Sequence, residues 1–78
     1  MDRLHVRLYN QNHAAEFVSA LNTWEDKFIL ESEDGMYRVN AKSIMGLLYF
    51  ATEHNADMYL VNLTSNGYYP EGVMKFRV

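Results

Sequence analysis

Residues 39–47 read Val-Asn-Ala-Lys-Ser-Ile-Met-Gly-Leu, and the chain changes character inside them. Just upstream, Met36-Tyr37-Arg38-Val39 alternates apolar and polar residues in the manner of a half-buried strand. From Ser43 onward, apolar residues at 44, 45, 47, 48, 49 and 50 are too continuous for alternation and suit a helix. Asn40, Lys42 and Ser43 mark the junction, and Asn and Ser are favoured helix N-caps. A hydroxyl at that point sits where backbone N–H groups and the helix dipole favour negative charge. Two readings follow. Ser43 is either a cap and nothing more, or an acceptor for regulatory phosphorylation at the head of a docking helix.

On the N-terminal side of that junction, Lys27 to Ser32 reads as a strand, Glu33-Asp34-Gly35 as a turn, and Met36 to Asn40 as the returning strand of a hairpin. Earlier still, Arg3 to Tyr9 alternates, with Leu4, Val6 and Leu8 on one face. His5 falls on the polar face and reads as a solvated strand residue. A helix is expected from Asn12 to Leu21, with Asn12 as its cap and Glu16 in its first turns. Ala14, Phe17, Val18 and Leu21 form its packing stripe. Trp24 should tuck under the connection that follows.

C-terminal to the junction, the helix runs from Ser43 to Glu53 and breaks at His54-Asn55-Ala56-Asp57, where Asn55 suits a left-handed cap. Met58 to Leu63 carries apolar residues on both faces and reads as a central strand. Ser65-Asn66-Gly67 and Pro70-Glu71-Gly72 are breaks. The period of Val73 to Val78 favours a short strand, with a short helix opened by Pro70 as the alternative. The order βαββαβ gives an α+β open-faced sandwich, an antiparallel sheet with helices on one face and an atypical C-terminal tail. Without repeats, linkers or low-complexity tracts, residues 1–78 read as one domain.

Composition narrows the function classes. A chain of 78 residues buries about 60–65% of its unfolded surface, so it needs good packing or a partner. It lacks Cys, which excludes disulfides and thiolate metal sites and suits a reducing cytoplasm. A net charge of −3 argues against general attraction to nucleic acid. Neither a signal peptide nor a membrane-spanning run is visible. His54 has no second candidate ligand nearby, so no metal site is expected, and no cofactor. No nucleophile–base pair or spaced carboxylate pair suggests turnover, so the chain reads as a non-enzyme.

Taken in order, roughly residues 2 to 66 resemble the HPr family, the phosphocarrier proteins of the bacterial sugar phosphotransferase system. The 39–47 run is similar to the segment around that family's regulatory serine, above all in catabolite repression HPr. Ala14-Ala15-Glu16-Phe17-Val18 resembles the family's Ala-Ala-x-Phe-Val. The resemblance implies Ser43 as acceptor for a serine kinase/phosphorylase. Ile44, Met45 and Leu48 would then form a docking face for a LacI-type transcriptional regulator, with Lys42 assisting electrostatically. Partial core burial is the alternative for 44, 45 and 48, while Leu47 and Phe50 suit the core.

Two departures qualify that resemblance. Where the family has His-Ala-Arg-Pro, this chain has Asn10, Gln11, Asn12 and His13. Asn10 cannot form a phosphohistidine and Asn12 offers no guanidinium, so phosphocarrier activity is not expected. A shifted site at His13 is the alternative, and an exposed His on the first helical turn the plainer reading. The family's long C-terminal helix is also missing. The uncovered apolar surface must then be hidden by the tail, by Tyr59, Tyr68, Tyr69 and Phe76, or by a second copy in a homodimer, with the tail strand on the partner's sheet edge.

Overall fold

A computed structural model describes residues 2–54 and 57–78, with only the backbone of 51–54. The elements are β1 (Leu4–Val6), α1 (Gln11–Leu21), β2 (Phe28–Glu31), β3 (Arg38–Asn40), α2 (Ile44–His54), β4 (Met58–Asn62) and a C-terminal 3₁₀ helix (Glu71–Phe76). The expected α+β open-faced sandwich is the observed architecture: one four-stranded antiparallel sheet in the order β1-β4-β2-β3. β4 lies between β1 and β2, which explains why its sequence is apolar on both faces.

Register builds the core. Leu60 pairs with Leu4 on one side and Leu30 on the other, and Val6 pairs with Met58. Side chains from alternate strand positions stand on one face. That face meets Ala14, Phe17 and Leu21 from α1 and Leu47 and Phe50 from α2 in one buried cluster. Asn62 also lies in β4 and is 1% exposed. Its Nδ2 donates to Asp26 Oδ2 at 3.0 Å and to the Tyr68 carbonyl at 2.8 Å. Its Oδ1 accepts the N–H groups of Thr64 and Ser65, both at 2.8 Å. Each polar atom of this buried amide is therefore matched, as burial demands.

Several boundaries differ from the sequence reading. The β2–β3 turn is longer than its Asp-Gly signal, because Asp34 Oδ1 takes the Met36 N–H at 2.9 Å and the Ser32 hydroxyl at 2.7 Å. The Tyr37 carbonyl still accepts the Ser32 N–H at 3.0 Å, while the Tyr37 N–H turns to the Ser32 hydroxyl at 3.2 Å, and Gly35 supplies the left-handed residue at φ 74°. The cap of α1 is Asn10, not Asn12. The helix starts at Gln11, and Asn10 Oδ1 accepts the His13 N–H at 2.9 Å, which places Asn12 inside the first turn. Glu16 is beyond that turn and pairs with Lys75 instead. The suggested left-handed cap at Asn55 lies outside the described residues.

The tail corrects a preference. Residues 71–76 form a 3₁₀ helix after Pro70, and only Arg77 makes a strand-like bridge, to Val6. Proline suits a helix start, and burial of Val73 and Phe76 against α1 overrides the alternating pattern. Gly72 is required by this packing, since a Cβ there would meet the Ala20 Cβ at 2.9 Å. Phe76 meets Phe17 edge-on at 5.7 Å, and Tyr69 donates its hydroxyl to the Leu60 carbonyl at 3.1 Å. The tail thus covers the core within its own chain. Of the other aromatic residues expected to help, Tyr68 is exposed and Tyr59 stands on the opposite sheet face beside His5.

Candidate functional site

The turn before α2 is built by local side-chain capture. Ala41 is buried and donates its N–H to the Phe28 carbonyl at 3.1 Å, pinning the chain to β2. Asn40 Oδ1 accepts the Lys42 N–H at 2.9 Å, and the Asn40 carbonyl accepts the Ser43 N–H at 3.1 Å. This Asx-type turn delivers Ser43 to the N-cap position. Ser43 Oγ accepts the Gly46 N–H at 3.2 Å, and its carbonyl accepts the Leu47 N–H at 3.0 Å. The hydroxyl therefore caps an eleven-residue helix whose first turn carries no acidic side chain.

Beyond the cap, α2 divides into two faces. Leu47 and Phe50 are buried. Ile44 is 40% exposed and Met45 75% exposed, while Leu48 is half-buried against the core. Tyr49, 62% exposed, joins the outer face four residues after Met45. That i,i+4 spacing was the available signal for Tyr49. Lys42 is committed elsewhere: its ammonium donates to the Trp24 carbonyl at 2.6 Å and lies 5.7 Å from the Phe28 ring centroid.

The start of α1 holds Asn10, Gln11, Asn12 and His13. Asn10 is its cap, so the third N–H of the helix is already satisfied by a neutral amide. His13 is half-buried rather than exposed. Its Nδ1 accepts the Tyr9 N–H at 3.2 Å, and its ring packs on Phe76 at 5.4 Å. The structure does not bring His13 and Ser43 into one site, since each heads a different helix.

No family model, curated protein or solved structure matches the chain.

The other face of the sheet carries a polar network that sequence reading treated as simple solvation. Glu31, 10% exposed at its side chain, bridges Arg3 at 3.1 Å and Arg38 at 3.2 Å. His5 stacks on Tyr59 at 4.6 Å, with its Nε2 3.2 Å from Asp57, and Arg7 reaches the same Asp57 oxygen at 3.3 Å. These two contacts hold the Asp57 carboxyl below its ordinary value. Among the described residues, no three His, Asp or Glu side chains converge as a metal-ligand set, and no helix is long and apolar enough to cross a membrane.

Proposed function

We propose that this chain is a non-catalytic, HPr-like regulatory protein of the cytoplasm, acting through phosphorylation of Ser43 and docking of α2 to a protein partner. The observation that carries the reading is the Ser43 Oγ–Gly46 N–H contact of 3.2 Å at the head of a helix that presents Ile44, Met45 and Tyr49 outward. A phosphate there adds about −1.5 to −2 charges and three acceptor oxygens. It would lie at the positive end of the helix dipole and offer an arginine-bearing partner a charged anchor beside an apolar stripe. Met45 suits such a surface because its thioether adapts to varied partners. By resemblance, the modifying enzyme is a serine kinase/phosphorylase and the partner a LacI-type regulator.

The alternative, a phosphocarrier using His13, is weakened by hydrogen bonding. Tyr9 engages the Nδ1 lone pair, so a neutral ring keeps its proton on Nε2 and offers no free nucleophilic nitrogen. A homodimer is not needed to cover the sheet, because Val73 and Phe76 do so in the same chain.

The test is incubation with an HPr-type serine kinase and ATP, followed by binding to the regulator. Phosphate on Ser43 together with tighter regulator binding supports the proposal. Absence of modification, or modification without any change in binding, overturns it. Acid-labile label from phosphoenolpyruvate that disappears in His13→Ala would favour the alternative.

A further inference from the structure

The sheet's open face neutralises its own cations. Arg3 lies 4.3 Å from the Tyr59 ring centroid and is paired with Glu31, Arg38 shares Glu31, and Asp57 holds Arg7 and His5. Where the end of β1, the start of α1 and the tail meet, the balance is different. A cleft of about 330 Å³ opens there, walled by Arg7, Tyr9, His13, Lys75, Phe76 and Arg77. Glu16 is the one carboxylate side chain among the lining residues, and it is paired with Lys75. Asn10 and Asn12 are not part of its lining, although the cleft adjoins the cap of α1 through His13, whose N–H Asn10 accepts.

Two donors are left over. Arg77 makes no ion pair among the described residues, although its backbone is fixed by the bridge to Val6 and by its N–H bond to the Met74 carbonyl at 3.1 Å. His13 is the second. Because Tyr9 donates to Nδ1, the neutral imidazole carries its proton on Nε2, which has no hydrogen-bond partner among the described residues. Aromatic surface completes the lining: His13 tilts over Phe76 at 5.4 Å, and Tyr9 meets His13 edge-on at 6.0 Å. The volume is at the low end of small-molecule sites, which begin at about 300 Å³. Of the three cations that line the cleft, Arg7 is paired with Asp57 and Lys75 with Glu16, which leaves the Arg77 guanidinium as the charge available to a ligand among the described residues.

We propose that this cleft binds a small organic anion, its charge held by the Arg77 guanidinium and the His13 Nε2–H and its flat apolar body laid against the exposed Tyr9 ring. Arginine's planar fork matches a carboxylate or phosphate with two parallel hydrogen bonds, and the Tyr9 ring favours an aromatic or unsaturated body over a bare ion. The site is independent of Ser43, and binding is non-covalent.

The experiment is an NMR titration of the ¹⁵N-labelled full chain with benzoate and, separately, with inorganic phosphate. Benzoate is expected to give saturating shifts at Tyr9, His13, Phe76 and Arg77 in the millimolar range, with phosphate weaker. Arg77→Gln and His13→Gln should each weaken benzoate binding by about tenfold, the scale of one charge-assisted hydrogen bond. Arg38→Gln, in β3 at the opposite edge of the sheet from β1, should leave it unchanged, and retained spectral dispersion shows that each variant is folded. Unsaturating shifts, or benzoate binding indifferent to both cleft variants, overturn the site. Phosphate binding as tightly as benzoate overturns the role given to the apolar body.

Discussion

The ammonium of Lys42 donates to the Trp24 carbonyl at 2.6 Å, so the residue before Ser43 ties the start of α2 to the loop after α1. Its stem is half-buried, with the charge near the Phe28 ring, an arrangement that contributes packing as well as a charge-assisted hydrogen bond. Lys42→Met should therefore destabilise the fold by about 1.5–3 kcal/mol, the range of a hydrogen bond to a charged group. An ordinary exposed lysine would give about 0.5 kcal/mol or less. Urea unfolding followed by Trp24 fluorescence measures the difference, and the emission of the folded variant should also shift because its carbonyl partner is gone.

Ser43 can be separated into cap and acceptor. Ser43→Ala removes the oxygen that accepts the Gly46 N–H and should cost about 1 kcal/mol. Ser43→Asp keeps a capping oxygen and adds a favourable charge at the dipole's positive end, so its unfolding midpoint should lie at or above the wild type. If both variants lose stability equally, the capping geometry is wrong.

Gly72 faces Ala20 so closely that an added methyl group would meet its Cβ at 2.9 Å. Both groups are short and rigidly placed, one in α1 and one in the 3₁₀ helix. Gly72→Ala should then lift the tail from α1 and cost about 1–3 kcal/mol, the usual size of an overpacking penalty. Hydrogen exchange should show the loss concentrated in residues 71–77, and uniform loss across the sheet would contradict a tail that docks as a local unit.

The buried amide of Asn62 joins β4, Asp26 and the loop that begins at Thr64. Asn62→Leu has similar bulk but leaves the Thr64 and Ser65 N–H groups and the Tyr68 carbonyl without their partner. A loss of about 2–4 kcal/mol is expected, since each buried unsatisfied group costs about 1–3 kcal/mol and part of the loop can turn to water. Calorimetry of the variant checks it.

Residues with strong local periodicity were legible. The stripe of Ala14, Phe17 and Leu21, the hairpin around Gly35 and the two-faced β4 all followed from spacing, because burial on one face imposes that spacing. Contacts between distant segments were not legible. Nothing in Val73 to Phe76 says that α1 lies opposite, so their alternation favoured a strand until packing decided for a 3₁₀ helix. Nothing in the 58–63 run singles out Asn62, since its four partners come from Asp26 and from residues after the strand. At the site, Ser43 was legible as a cap from its neighbours alone. The Lys42 contact spans 18 residues and was not.

The Asp57 carboxylate joins the start of β4 to β1 through His5 and Arg7, and these contacts hold its pKa below the ordinary 3.8. A carboxyl group with a lowered folded-state pKa binds protons more readily in the unfolded chain. Its stabilisation is therefore present above pH 3.8 and is lost as pH falls through the depressed value. Asp57→Asn should lower stability at neutral pH, and the gap from wild type should close below about pH 4. Because Asp57 is exposed, the gap should also shrink in high salt. Urea midpoints of the two proteins between pH 3 and 7, with and without added salt, test both dependences. A gap that stays constant down to pH 3 would mean that the Asp57 charge contributes nothing and that the substitution acts through shape alone.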